Sequence, residues 1–318
     1  MLRSLAGKIL YLIPVLVAVT ALSFLLLKLL PGDPAVNILG PSATPAAVRA
    51  LHKSLGLDKP MVTQYWQFVW HALHGNLGRS YQNNQPTLEA LRQRLPVTLE
   101  LLVLSQFLAL VISIPLAIRA ATKPDGLLDR ISTGVSFGFL ALPSYVVGVV
   151  LVLLFAVQMH IFPATGYVPL TQNPFQNLRS LTLPSITLAV AELATYMRLL
   201  RADMIMTLQE DFITMARAKG MPPRRILWRH AFRPSSFSLV TVAGLNFGRL
   251  IGGTFIVEIL FALPGIGELT VQSIFSADYL VVQGTVLLVA VGYVLVNFLV
   301  DLLYVVIDPR VRHAASAS

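Results

Sequence analysis

Cysteine is absent from the 318-residue sequence. This excludes disulfides and thiolate metal sites and leaves the redox compartment unreadable. Charge is also scarce: 12% of residues are Asp, Glu, Lys or Arg, against 55% hydrophobic, and the mean hydropathy is +0.72. So little polar surface cannot coat a soluble globule, and most of the chain is expected in lipid. Catalytic signatures are missing too. No glycine-rich loop ends in Gly-Lys-Ser/Thr, and neither His-Glu-x-x-His nor Gly-x-Ser-x-Gly occurs. His71 and His74 are three residues apart with no evident third ligand, so an interfacial helix face is favoured over a metal site. These absences argue against an enzyme, against a resident metal and against nucleotide binding by this chain.

Six apolar runs reach or approach spanning length: Ile9 to Leu30, Thr98 to Ile118, Ile131 to Val157, Leu183 to Leu200, Phe237 to Leu260 and Leu280 to Ile307. A helix needs about 20 residues to cross about 30 Å of hydrocarbon. The first run is longer than a signal-peptide core and lacks a clear small-residue cleavage site, so it reads as a retained span. The pattern predicts an all-α polytopic membrane protein with six transmembrane helices. Residues 1–30 form the N-terminal end and first span, 31–94 an extracytoplasmic segment, 95–307 a five-span core and 308–318 a tail.

Lysine and arginine set the orientation. With the N-terminus inside, the short inside segments hold Arg3, Lys8, Arg119, Lys123, Arg130, Arg198, Arg201, the cluster from Arg217 to Arg233, Arg310 and Arg312. The short outside loops hold only Arg179. This asymmetry predicts that both termini are cytoplasmic. It also accounts for the net charge of +9 without a nucleic-acid partner.

The extracytoplasmic segment opens with the turn Pro31-Gly32-Asp33-Pro34 and continues, from Pro45 to His74, as short amphipathic helices rich in aromatics: Tyr65, Trp66, Phe68 and Trp70. Such density beside a membrane fits an interfacial belt or a small exterior cap, with a cap packed on its own spans favoured over a substrate site. Gly75, Gly78 and Pro86 mark the return to the second span.

Ionisable residues inside spans are few. Glu192, Arg249, Glu258 and Asp301 fall there, where an unpaired charge costs about 2.5–3.5 kcal/mol on insertion scales, so each is expected to face protein or water. Glu192 and Arg249 are predicted to pair or to line one conduit, with Asn246 about one turn before Arg249. Passage lining and a purely structural ion pair both remain open. Glu258 is a further pathway candidate. Asn297 and Asp301, one turn apart, are expected to make a structural helix contact.

A basic loop at 206–234 lies between the fourth and fifth runs. Glu210 and Asp211 stand where a helix N-terminus favours negative charge, and Thr214 to Gly220 (TMARAKG) leads to Pro222-Pro223, Arg224, Arg225, Arg229, His230 and Arg233. A helix, a break and a second helix are predicted.

At this loop the chain resembles the membrane subunits of ABC importers, whose cytoplasmic Glu-Ala-Ala-x-x-x-Gly loop docks on the ATPase; Ala216 and Gly220 match its last Ala and its Gly, while Thr214 and Met215 replace its first two residues. The likeness narrows to the dipeptide, oligopeptide and nickel group through ordered fragments. These are Leu30 to Pro34, Leu55 to Pro60, His74 to Gly78, Leu95 to Glu100, Glu210 to Phe212, Ala216 to Gly220, Pro264 to Gly267, Asp278-Tyr279 with Val282 to Gly284, and Asp308 to Arg310. The chain departs at Arg233-Pro234, where the family usually has Arg-Asn, and at Ala277 to Leu280, where it usually has Arg-Asp-Tyr-Pro.

The resemblance implies the type I ABC importer transmembrane-domain fold in a bacterial cytoplasmic membrane. It implies a permease moving di- or oligopeptides, with nickel chelates, glutathione or haem as alternative cargo; apart from the resemblance, a secondary transporter or channel that needs no ATPase is the alternative class. The implied partners are a second homologous permease, two ATPase subunits holding ATP and Mg, an extracytoplasmic substrate-binding protein and membrane lipid. The implied docking positions are Glu210, Asp211, Ala216, Arg217, Lys219, Gly220, Arg224 and Arg225, with Ala216 and Gly220 small enough for close approach. Pro264, Gly265 and Gly267 are implied to form a re-entrant outer gate.

Overall fold

The computed structural model describes residues 14–25, 33–40 and 43–307. Arg3, Lys8, Pro31-Gly32, Asp308-Pro309-Arg310, Arg312 and the side chain of Asp301 lie outside the described residues. Among those described there is no strand, only an isolated bridge between Arg79 and Pro86. The chain divides into two compact units, Met1–Thr98 with Pro264–Val294, and Leu99–Leu263 with Leu295–Ser318.

The first unit holds α1 (Pro14–Leu25), α2 (Pro34–Leu39), α3 (Pro45–Leu55), α4 (Met61–Leu73), α13 (Ile266–Phe275) and the starts of α5 (Thr87–Thr122) and α14 (Tyr279–Ile307). The expected amphipathic helices are thus present. Asp33 caps α2 by accepting from Ala35 N at 2.9 Å, with Pro34 pre-set at the first turn. Gly56 ends α3 in the left-handed region, at φ 67°. Tyr65 on α4 packs edge-on to Phe24 of α1 and shares a hydrogen bond with Thr20 at 2.9 Å. Trp66, Trp70 and Leu73 on the same helix are exposed, so α4 is partly a cap on α1 and partly an outward aromatic face. The small core joins Leu77, Leu91 and Ile266 to Leu95, Leu269 and Leu287. Gly284 permits this packing, because a Cβ there would meet Thr87 Cγ2 at 2.6 Å.

The second unit holds the rest of α5, α6 (Leu127–Ala141), α7 (Ser144–Leu151) continued by a π-helical segment Val152–Gln158, α8 (Pro174–Leu208), α9 (Asp211–Ala218), α10 (Pro223–Arg225) continued by a π-helical segment Ile226–Phe232, α11 (Arg233–Ile251), α12 (Phe255–Leu260) and the end of α14. Small residues line its core: Ala109, Ala117, Ala120, Ala121, Ala189, Ala216, Ala231 and Ala243 surround Tyr196, Met197, Leu200 and Met204. Small side chains let helices approach closely where lipid supplies no hydrophobic drive.

Among the described residues three helices, α5, α8 and α14, are long and apolar enough to cross a membrane, or four spans if the bent pair α6–α7 is one. The six runs therefore do not all read as straight spans. The third bends by 104°. Leu142 precedes Pro143 and takes an extended backbone, with ψ 131°, because proline excludes its predecessor from the helical region. The fifth breaks after Ile251, where Gly252 and Gly253 withdraw helix propensity and Thr254 begins a new turn. In the fourth, the helix begins at Pro174, capped by Asn173 accepting from Gln176 N at 3.1 Å, so Arg179 lies in α8 and not in a loop. Of the first run, the described part is α1.

Candidate functional site

The basic loop forms as its punctuation predicts. Glu210 is the N-cap of α9 and Asp211 opens the helix. At the other end, Gly220 N donates to Arg217 O at 2.9 Å and Met221 N to Ala216 O at 3.2 Å, while Gly220 sits at φ 71°. This is a Schellman closure, and the left-handed residue it needs explains the glycine. Pro222 and Pro223 then start the next helix. Pro234 does not break the entry into α11. Its ring and missing N–H disfavour a regular turn, and the preceding Ile226–Phe232 widens to a π-helix that runs straight into α11.

Ala216 is 4% exposed and packs with Ile213, Ile226 and Ala231 in the core of its own unit. Its small size lets α9 pack closely on the rest of this unit. Glu210, Asp211, Arg217, Lys219, Gly220, Arg224 and Arg225 are all exposed, as are Phe212, Met215 and Trp228. These apolar side chains escape a reading by charge and motif. Their signal is the period of α9, which puts Ile213 and Ala216 on one face and Phe212 and Met215 off it.

Glu192, Asn246 and Arg249 do come together. Glu192 on α8 is buried and accepts from Asn246 Nδ2 and, at 3.1 Å, from Arg249 Nη2, both on α11. Arg249 itself is 70% exposed, so the pair has one buried and one open end. Two polar partners went unforeseen: on α8, one turn from Glu192, the Tyr196 hydroxyl hydrogen-bonds Gln106 of α5, which donates at 3.0 Å. A search restricted to ionisable residues passes over them, although a glutamine amid the apolar Thr98 to Ile118 run is itself a signal. Nearer the loop, Thr207 Oγ1 and Ser235 Oγ tie α8 to α11 at 2.9 Å.

Glu258 differs from the trio. It is fully buried and accepts from Thr254 Oγ1 at 2.8 Å, turned into protein and away from solvent. In the first unit, Gly265 is the extended N-cap of α13, with Gly267 buried beside it and Pro264 half-buried. Ile266 N donates to Thr98 Oγ1 at 2.9 Å, and Glu268 accepts from Arg94 at 2.7 Å, fixing α13 on α5.

Two loop tyrosines are strongly perturbed. Burial, reinforced by the Asp278 carboxylate, pushes the Tyr81 hydroxyl up to about 12. Asp278 is buried and accepts from Ser80 Oγ and from Tyr81 N. Burial and a hydrogen bond to Glu100 likewise push Tyr167 up to about 12. Asn177 donates to the same Glu100 oxygen at 2.8 Å.

Residues 113–313 match the family described as binding-protein-dependent transport system inner membrane component, and residues 1–102 its N-terminal companion. A Brucella abortus (strain 2308) protein provisionally named a peptide transport system permease is 41% identical over 95% of this chain and 96% of its own length. The dipeptide transport system permease protein of Escherichia coli (strain K12) is 35% identical over 98% of this chain and 99% of its own. A Sinorhizobium fredii (strain NBRC 101917 / NGR234) protein, provisionally named a peptide ABC transporter permease, is 37% identical over 95% of this chain and 96% of its own. With its helical spans and the loop between α8 and α11, the chain belongs to the family of binding-protein-dependent transport system inner membrane components, permease subunits with the type I ABC importer transmembrane fold.

Proposed function

We propose that this chain is a permease of an ATP-driven peptide importer, with α9 as the contact to an ATPase subunit. One observation carries the reading: the helices on either side of the docking loop are the ones that bear the intramembrane polar trio. α8 ends at Leu208, two residues before the N-cap of α9, and α11 follows the π-helical segment after it. The two helices are joined at Thr207–Ser235 and again at Glu192–Asn246–Arg249. These rungs are about 20 Å apart at 1.5 Å per residue. A displacement of α9, anchored by buried Ile213 and Ala216, thus moves a braced pair of helices as a unit and changes what Arg249 faces.

In the complex, the exposed Phe212 and Met215 enter a cleft of the ATPase while Arg217, Lys219, Arg224 and Arg225 meet its acidic rim. ATP and Mg belong to that partner, and their chemistry drives its closure. A second, homologous permease completes the passage, and a substrate-binding protein delivers cargo from outside. Both termini are cytoplasmic, with six crossings counting α1, the bent α6–α7 pair and the broken α11–α12 pair as spans. Pro264, Gly265 and Gly267 act at the outer gate. Peptides are the favoured cargo because relatives matching nearly the whole chain carry that name.

The test is purification from native membranes in mild detergent, mass spectrometry of what accompanies the chain, and uptake of labelled di- and oligopeptides with ATP hydrolysis followed in parallel. Co-purified ATPase and binding-protein-stimulated peptide uptake are expected. A chain that moves solute in liposomes without ATP is a secondary transporter. Uptake restricted to a nickel chelate, glutathione or haem reassigns the cargo and keeps the machine.

A further inference from the structure

A cavity of about 500 Å³ opens between α6 and α8, lined by Thr133, Phe137 and Leu140 from the first and by Thr195, Arg198 and Arg201 from the second. Neither the Glu192–Asn246–Arg249 trio nor α9 lines it. Arg201 is held by Asp129, which is 3% exposed and takes Nε on one oxygen and Nη2 on the other. Asp125 adds a weaker attraction to the same guanidinium. Nη1 is left without a hydrogen-bond partner among the described residues. Arg198 is exposed, and its guanidinium lies 4.3 Å over the Phe137 ring. It has no ion pair or hydrogen bond among the described residues. Phe137 and Leu140 are themselves 54% and 41% exposed.

The depth of these groups is informative. The centre of α8 is at residue 191, the same level as the middle of the apolar run from Leu183 to Leu200. Arg198 and Arg201 stand about 10 and about 15 Å beyond it toward the docking loop, and the hydrocarbon half-thickness is about 15 Å. Arg201 therefore reaches the hydrocarbon edge where lipid phosphates begin, and Arg198, about 5 Å inside it, has the long side chain needed to extend its guanidinium to that level, above an apolar wall at acyl depth. Guanidinium groups hold phosphate oxygens through paired N–H donors. Basic recesses between helices on the cytoplasmic side are suited to anionic headgroups.

We propose that this cavity is a site for one anionic phospholipid of the cytoplasmic leaflet. The phosphate is held by Arg198 and the free Nη1 of Arg201, and an acyl chain lies on Phe137 and Leu140, deeper in the cavity. Asp129 acts as a positioning residue for Arg201. The bound lipid braces α6 on α8, the helix that leads into the docking loop. The proposal depends on the cytoplasmic placement of that loop and not on peptide being the cargo.

The experiment uses the whole detergent-purified transporter, delipidated and titrated in native mass spectrometry with phosphatidylglycerol, phosphatidylcholine and inorganic phosphate. Phosphatidylglycerol is expected to be retained over phosphatidylcholine, with Arg198→Gln lowering its retention about fivefold, the factor expected for one basic residue near an anionic headgroup. Leu140→Trp, which fills the acyl wall, is expected to lower retention while leaving Arg198 in place. Equal retention of phosphatidylcholine by the wild-type complex overturns the proposal, as does unchanged phosphatidylglycerol retention in assembled Arg198→Gln. Displacement by equimolar inorganic phosphate also overturns it and identifies a free-phosphate site instead. The wild-type comparison is decisive even if a variant fails to assemble.

Discussion

Thr207 Oγ1 and Ser235 Oγ meet at 2.9 Å, each hydroxyl also bonded to the backbone of its own helix, at Asp203 O and Ala231 O. The contact closes the base of the hairpin formed by α8, the basic loop and α11. Ser235 is 3% exposed, so the bond is shielded from competing water. Ser235→Ala removes the contacts to Thr207 and to Ala231 O, and a stability loss of about 1–2 kcal/mol is expected. The larger effect is expected on coupling: more ATP hydrolysed per solute moved in proteoliposomes. An unchanged ratio would mean that the base of the hairpin does not transmit motion.

The Glu192–Arg249 pair allows the passage and structural readings to be separated. Arg249→Gln leaves Glu192 buried without its cationic partner, and the charge-assisted bond lost is worth about 1.5–3 kcal/mol, or about 10–100-fold if expressed in uptake. If the pair is structural, adding Glu192→Gln removes the stranded charge and restores both assembly and uptake. If the open end of Arg249 serves the cargo, the double variant assembles but remains defective. The second outcome is expected, because Arg249 is 70% exposed while its partner is 4% exposed. Uptake and complex yield, measured together, distinguish the two.

Legibility in the sequence depended on what each residue reveals by its type. Helices α5 and α14 were readable because their apolar runs match or exceed bilayer thickness, and α8 because its run from Leu183 to Leu200, although interrupted by Glu192, comes close to it. The basic loop was readable because its boundaries use residues with backbone consequences: acidic Glu210 and Asp211 at the start, Gly220 at the left-handed closure, and Pro222-Pro223 beyond it. The break at Gly252-Gly253 and the bend at Leu142-Pro143 carried the same kind of signal but lay inside runs counted by hydropathy alone. Ala216 carried none, since an alanine looks the same whether it meets its own chain or a partner. The joining of Gln106 to Tyr196 was likewise hidden, because it depends on which helix faces which and not on either residue's neighbours in sequence.

Gly220 separates backbone conformation from docking space. A Cβ added there meets nothing within 4 Å, but φ is 71°. Gly220→Ala is therefore expected to cost about 1–2 kcal/mol through left-handed strain alone. Gly220→Asn, which tolerates that region, should cost less. If the glycine serves only the helix end, ATPase coupling follows the order Gly, Asn, Ala. If a partner packs against it, Asn uncouples as badly as Ala or worse, because it is the larger side chain. ATPase activity and uptake in proteoliposomes rank the three.

Gly244 marks a different kind of constraint. A Cβ at this position would lie 2.1 Å from Val300 Cγ2, so α11 and the end of α14 meet at van der Waals contact only because the glycine has no side chain. Gly244→Ala is expected to cost about 1–3 kcal/mol by overpacking, read as a lower temperature of aggregation in detergent. Val300→Ala should relieve most of that loss when combined with it, although it creates a small gap on its own. If the double variant is no better than Gly244→Ala alone, these two residues do not limit the approach of the helices.

Tyr167 provides a test by pH. Its hydroxyl donates to Glu100 Oε2 at 2.9 Å, and burial with that hydrogen bond raises its ionisation to about 12, against about 10 for an unfolded chain. The raised value means that the folded state holds the neutral phenol more tightly than the unfolded state does. The resulting stabilisation is fully present below pH 10 and is lost as pH rises from 10 through 12. Absorbance at 295 nm of the purified complex, compared with Tyr167→Phe, should show a phenolate that forms late, near pH 12. In parallel, the segment from Pro163 to Val168 should become cleavable by added protease over the same interval in the wild type, and at neutral pH in the variant. Titration of the difference spectrum near pH 10 would mean that Tyr167 is solvated and that Glu100 does not hold the loop.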